Sequence, residues 1–110
     1  LFIHENPTGH WVEALTGLGG SGVQIFLSLA EDCAMQTHPM IPLVQVTSAG
    51  NLKEGNVDDF DYILQDPPAV DADALLELML RVASRKYTPR MTERGNEDFQ
   101  FSRGRFGITV

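Results

Sequence analysis

Apolar and polar positions divide this chain into short, distinct segments. Val23 to Leu29 and Leu43 to Ser48 are β-rich apolar runs with the length of buried strands. Leu1 to Glu5 (LFIHE) reads as a strand ahead of them. Between Leu1–Glu5 and Val23–Leu29 lies a helical pattern, with Trp11, Ala14, Leu15 and Leu18 at i, i+3, i+4 and i+7. The clearest helix spans Ala72 to Lys86. Leu75, Leu76, Met79, Val82 and Ala83 form its apolar face, which Leu78 and Leu80 broaden. Asp71 or Asp73 can cap it, and Asp73 and Glu77 at its start with Arg85 and Lys86 at its end suit the helix dipole.

Strand, helix and strand in this order predict a βαβ unit with parallel pairing. The segment Leu43–Ser48 follows without a helix, so its direction stays open. Asn6 to Gly9 reads as a turn, with Thr8 available as a cap. The stretch from Ala49 to Pro68 is irregular, although Phe60, Tyr62, Ile63 and Leu64 can pack on a core. In the tail, Phe99 and Phe101 and then Phe106, Ile108 and Val110 alternate, as a strand crossing or edging the sheet would. The expected fold is a small layered α/β domain.

The glycines of Thr16 to Gly22 (TGLGGSG) spell G-x-G-x-x-G, the pattern of a dinucleotide-binding loop. That loop follows a strand and opens a helix, so that the helix N-terminus faces the pyrophosphate. Here the order is reversed. The glycines close a helix and lead into a strand, which makes them a helix end and a tight turn.

Charge narrows the class of partner. The 110 residues carry a net charge of −7, which argues against non-specific nucleic-acid binding. Ten acids face one base, Lys53, between Glu31 and Glu77, whereas seven bases face three acids from Arg81 onward. Such asymmetry marks solvated faces of opposite sign. No apolar run approaches the roughly 20 residues of a membrane span, and no signal-peptide pattern is seen. The single cysteine, Cys33, suits a reducing, cytoplasmic setting. Because the sequence starts at Leu1 inside an apolar stretch, residues 1–110 are expected to be one domain from a longer multidomain chain.

Ligands of open α/β sheets sit beyond the carboxyl ends of the strands. The positions to weigh are therefore His4 and Glu5, Ser28 to His38, and Thr47 to Asn51. His4, Cys33 and His38 are ligand types for zinc or iron, but the Cys33-x4-His38 spacing matches no strong metal motif. Cys33 paired with His38 as a nucleophile, and Cys33 as a packed thiol, are the other readings. Asp58, Asp59 and Asp61 form a carboxylate cluster able to hold a hard cation, or to serve as a turn or cap. No nucleophile elbow is present. Residue chemistry by itself reaches a soluble α/β domain and no particular activity.

Taken in order, LFIHE, TGLGGSGVQIFLSL, HPMIPLVQVTS, DDFD, LMLRVAS and EDFQFSRGRFGITV resemble the C-terminal domain of the altronate and galactarate dehydratases. In that family of sugar-acid dehydratases a T-G-x-x-A-G-G-type helix end leads to an apolar strand and a T-T-G-R-G loop. A P-x-x-P-V-I-K-V-type strand, a D-D-x-D segment, a V-A-S-G helix end and an E-F closing segment follow. The resemblance implies a Rossmann-like domain, with a small, mostly parallel sheet flanked by helices, packed on a larger catalytic domain. It implies a hydro-lyase that converts an aldonate or aldarate to a 2-keto-3-deoxy acid with a divalent metal, iron, held by the full-length enzyme rather than by this domain alone. Its partners would be the remaining domains and a small anionic sugar acid, with neither nucleic acid nor membrane involved; a homo-oligomer is compatible with it.

The departure lies in one loop. The family's T-T-G-R-G maps onto Leu29 to Cys33, so that glycine, arginine and glycine become Glu31, Asp32 and Cys33. An arginine replaced by aspartate reverses the charge beside an anionic ligand, and near a desolvated carboxylate this can cost several kcal/mol. The strand lysine is Gln45 here, and Asp59 and Asp61 are kept. Glu31, Asp32, Cys33 and His38 are the candidate loop facing a substrate domain, and Asp59 and Asp61 the candidate carboxylates. Two readings follow: the C-terminal domain of a divergent dehydratase, inactive as an isolated fragment, or a non-catalytic interaction or scaffold module of the same descent.

Overall fold

The computed structural model describes residues 3–5, 9–65, 71–102 and 108–109. Eight elements organise them: helix α1 (Trp11–Gly20), strands β1 (Phe26–Leu29), β2 (Leu43–Ser48) and β3 (Tyr62–Leu64), helices α2 (Ala72–Ala83) and α3 (Arg90–Glu93), and strands β4 (Phe101–Ser102) and β5 (Ile108–Thr109). Two short 3-10 turns, Ala49–Asn51 and Val57–Asp59, lie between β2 and β3.

The main sheet has the order β1-β2-β3 and is parallel throughout, with Phe26 beside Leu43 and Val46 beside Tyr62. Side chains alternate across a strand, so β2 presents Leu43, Gln45 and Thr47 to one face and Val44 and Val46 to the other. All five are buried, as befits the central strand. On the first face Leu43 and Phe26 pack with Leu15, Trp11 and Leu18 of α1. On the second, Val44 and Val46 pack with Leu78, Val82, Leu75 and Met79 of α2. Helices on opposite faces of a small parallel sheet make the Rossmann-like layered α/β fold that was expected.

The details differ in instructive places. Of the expected first strand, Leu1 and Phe2 lie outside the described residues, and residues 3–5 are exposed and belong to no strand. Of the expected turn Asn6 to Gly9, residues 6–8, with the Thr8 cap, also lie outside the described residues. The segment Tyr62–Leu64, taken as irregular, is the third strand of the sheet. The tail pairs with itself: β4 and β5 form a separate antiparallel ribbon, Phe101 beside Thr109, instead of joining the main sheet.

Helix α1 extends further than its apolar spacing marks, through Gly17, Gly19 and Gly20. Each interior glycine costs roughly 0.5–1 kcal/mol of helix propensity. At Gly19 the compensation is close approach, because a Cβ there would collide with the Ile41 side chain. The chain turns at Gly22, whose φ of 101° suits glycine alone. The glycine run is thus a helix end and turn, and it offers the carboxyl end of a helix, the wrong pole for a phosphate.

Helix α2 stops at Ala83, three residues short of its expected end. Lys86 N–H bonds to Arg81 O at 2.8 Å and Arg85 N–H to Val82 O at 3.0 Å. This pair of bonds is a Schellman closure, which needs a left-handed residue at its centre. That residue is Arg85, with φ of 58°. The same closure after α3 uses Gly95, with φ of 68° and an Asn96 N–H to Met91 O bond of 3.0 Å.

Candidate functional site

The loop that leaves the carboxyl end of β1 is held on every side. Ala30 continues the ladder through its N–H to Val46 O, 2.8 Å. Gln45, wholly buried in the middle of β2, pairs its side-chain amide with the backbone of Met35: Met35 N–H donates to Oε1 at 2.6 Å and Nε2 donates to Met35 O at 2.7 Å. Thr47 Oγ1 reaches Glu31 O at 3.4 Å, and Trp11 Nε1 donates to Gln36 O at 2.8 Å. Further along, Thr37 is clasped by the tail, donating its N–H to Asn96 O and accepting from Asp98 N–H. The wholly buried Gln45 and Thr47, polar side chains on an otherwise apolar strand, are thus satisfied by the loop backbone.

Within this frame Glu31, Asp32 and Cys33 are exposed. They border a cavity of about 360 Å³, together with Trp11, Leu29 and Met35. Lys53 Nζ stands 2.9 Å from Asp32 Oδ1, and Asn56 Nδ2 donates to Asp32 O at 3.1 Å. The hydrogen bond to Asp32 raises the Lys53 pKa, with the carboxylate's charge adding to the effect. The one base of the acidic segment is therefore committed to the loop itself.

His38 lies apart from that cavity, between two other grooves. One, about 510 Å³, includes Thr16, Gly19, Ile41 and Phe99; the other, about 310 Å³, includes Arg85, Tyr87, Thr92 and Glu97. His38 is 3% exposed. Nδ1 accepts Met40 N–H at 3.1 Å, so the ring hydrogen resides on Nε2 and is donated to Thr16 Oγ1 at 3.2 Å. Thr16 passes its own hydrogen to Val12 O at 3.0 Å. Phe99 meets the ring edge-on at 5.3 Å. Burial lowers the His38 pKa, partly offset by the nearby charge of Glu97. His38 is a neutral cross-link between α1 and the loop, with both nitrogens occupied.

The two candidate carboxylates are braces as well. Asp61 Oδ1 accepts Tyr87 O–H and Arg90 N–H, each at 2.9 Å, and Oδ2 accepts Gln45 N–H at 2.7 Å. Burial and that hydrogen bond push the Tyr87 phenol up to about 12. Asp59 pairs with Arg94, tying the turn before β3 to the segment after α3. Asp71, expected to cap α2, instead reaches back to β3, accepting Tyr62 O–H and Gln65 N–H at 2.8 Å each. Of the remaining positions, His4 lies against Gly17 of α1, and Glu5 belongs to the exposed, strandless residues 3–5.

Among the described residues no three His, Cys, Asp or Glu side chains come together as a metal site. The donor chemistry agrees: Glu31, Asp32 and Cys33 are consecutive and splayed into solvent, and His38 is saturated. Among the described residues, these side chains do not fit a ferrous ion.

Comparison with known protein families, curated proteins and solved structures returns no match. Function therefore rests on the site. Sequence reasoning picked out the loop but missed its supports, Gln45 and Trp11. The one signal for them was a glutamine in the apolar run LVQVTS, where an unpaired amide would be costly. Among the described residues no helix is long and apolar enough to cross a membrane.

Proposed function

We infer that this chain is the C-terminal domain of a sugar-acid dehydratase, in which it walls the substrate region and carries none of the acid–base chemistry. The observation that supports this reading is the position of the substituted loop. Glu31, Asp32 and Cys33 emerge at the carboxyl end of a parallel strand, where α/β sheets present ligand-facing residues, and Gln45 and Thr47 hold the loop there. Of the motifs that resemble the family, TGLGGSGVQIFLSL, HPMIPLVQVTS and LMLRVAS run through α1, β1, β2 and α2.

Dehydration of a polyhydroxy carboxylate needs a base for the proton beside the carboxylate, cationic support for the enediolate, and an acid for the departing hydroxyl. In this domain His38, Asp59 and Asp61 are engaged in structural bonds, and Lys53 is paired with Asp32. Those three roles, and the metal, then fall to other domains of the same polypeptide. The acidic loop makes the anionic substrate lie away from Asp32.

The test uses the full-length polypeptide containing this segment, supplied with ferrous ion and a panel of aldonates and aldarates, and follows 2-keto-3-deoxy acid formation. Turnover abolished by a chelator is expected. Its absence across the panel, with folded protein and metal available, would overturn the dehydratase reading. The second reading, a scaffold module of the same descent, would then stand, and what favours it is the same engagement of the titratable candidates in packing.

A further inference from the structure

His38 joins α1, its own turn and the tail. Nε2–H holds Thr16 of α1, Nδ1 holds Met40 N–H, and Phe99 of the tail meets the ring edge-on. The turn is tight, since His38 and Ile41 pair as an antiparallel bridge across Pro39 and Met40. The residue before it is stitched to the tail: Thr37 N–H donates to Asn96 O at 2.9 Å and Asp98 N–H to Thr37 O at 3.0 Å. Phe99 packs onward against Phe101, 5.8 Å away, and β4 lies against α1. His38, Met40 and Ile41 line both of the grooves of about 310 and 510 Å³, so this turn is the wall between them.

The junction accommodates one protonation state of the imidazole. Nδ1 accepts a backbone N–H, so a proton added there would oppose that hydrogen and place a cation where little water reaches. The groups around the ring do not offset this in place. Glu97 of the tail acts on it through charge, but both ring nitrogens are bound elsewhere. Arg85, after α2, shares a groove with Glu97 and disfavours a second cation, and Tyr87 gives its hydrogen to Asp61. From α3 this groove receives Thr92, which is uncharged. Asp98 is turned to Phe99 N–H and Gln100. On the side of α1 stand Glu13, one turn before Thr16, and His4, against Gly17. Neither apolar cluster takes in a residue from Leu27 to Met40, so the junction can open while both layers stay packed.

We propose that His38 is an acid-released latch: a proton on Nδ1 displaces Met40 N–H, the imidazolium leaves Thr16 and Phe99 for the groove beside Glu97, and the tail separates from α1. Thr37 moves with Asn96 and Asp98 as one piece, because the backbone bonds between them involve no titrating group. Met40, 75% exposed, hands its N–H to water. With the wall displaced, the two grooves become one cleft between α1 and the segment after α2. The pH window follows from linkage. Burial holds the ring's pKa below 6.5 in the closed state, and the opened ring returns to its ordinary value, so acidification below pH 6.5 favours opening. The latch is closed above that pH and is lost as the pH falls. It does not depend on the dehydratase reading.

Amide hydrogen exchange of the full chain, corrected for the intrinsic effect of pH on exchange, tests the proposal. Between about pH 7 and about pH 5.5, protection at Thr37, Met40 and Asp98 should fall roughly fivefold, as binding of a proton by the open form requires. Asp61 N–H, bonded to Gln45 O, should keep its protection, and the far-ultraviolet circular dichroism should not change. His38→Asn keeps an acceptor for Met40 N–H and does not titrate, so the fall should vanish in it, whereas His4→Gln should leave the fall in place. If His38→Asn fails to fold, NMR of the wild type decides: the His38 ring and the Met40 amide must titrate with one midpoint, below pH 6.5. Steady protection at those amides, a fall that persists in folded His38→Asn, separate midpoints, or an equal fall at Asp61 would overturn the proposal.

Discussion

Replacing Asp61 by alanine separates a brace from a catalytic carboxylate. Its carboxylate joins three parts of the fold: β2 through Gln45 N–H, the segment after α2 through Tyr87 O–H, and the start of α3 through Arg90 N–H. The Gln45 amide is the costly one. Gln45 is wholly buried, so its N–H cannot turn to water, and an orphaned buried donor costs about 1–3 kcal/mol. Tyr87 and Arg90 lie nearer solvent and rehydrate, losing about 0.5–1 kcal/mol each. Asp61→Ala should then destabilise the chain by about 3 kcal/mol, or roughly 10–20 °C in melting temperature for a domain of this size. Asp61→Asn should cost about 2 kcal/mol, because its amide group must set an N–H against either Gln45 N–H or the Tyr87–Arg90 pair. A double-mutant cycle with Tyr87→Phe should return a coupling of about 1 kcal/mol. Urea unfolding followed by circular dichroism measures all three. A loss below about 0.5 kcal/mol for Asp61→Ala would refute the reasoning.

The remaining predictions concern pH, a helix end and the exposed loop. His38 has a lowered pKa in the fold, so the unfolded chain binds the proton more readily; the stability tied to neutral His38 is present above pH 6.5 and is lost as the pH falls below it. His38→Ala should flatten that part of the stability–pH curve. Tyr87 behaves in the opposite sense: its pKa rises from 10 to about 12 on folding, so its contribution holds below pH 10 and is lost between about 10 and 12. Tyr87→Phe should remove this alkaline limb in the same titration. Arg85→Gly should raise stability by about 0.5–1 kcal/mol, since a left-handed residue other than glycine is strained, and a melting curve would show it. Asp32→Ala should leave the melting temperature unmoved because its ion pair with Lys53 lies in solvent; a clear drop would mean that the pair holds the loop.

The layered α/β plan was legible because it depends on short-range pattern. The run LVQVTS forms β2 where its apolar, β-rich composition marks it, and the Leu75–Val82 spacing forms α2 with its apolar stripe on the sheet. The reversed order of helix and strand around GLGGSG also separates that loop from a nucleotide cradle. Even here local signals missed their limits: α2 ends early because Arg85 takes the left-handed place in a Schellman closure, which no preference of arginine announces.

What only the tertiary structure decided is the use of each polar side chain. Cys33, His38 and the aspartates look alike as candidates along the chain, because a titratable group carries no mark of its partner. Folding spends His38 on Thr16 and Met40, Asp61 on Gln45, Tyr87 and Arg90, and Asp59 on Arg94, across separations that sequence spacing does not encode. It leaves Glu31, Asp32 and Cys33 outward at the end of β1. The sequence by itself determined the layers, since burying an apolar face needs only the right period. Which polar groups remain available depends on long-range pairing, because a buried donor or acceptor takes whatever partner the packed layers bring within about 3 Å.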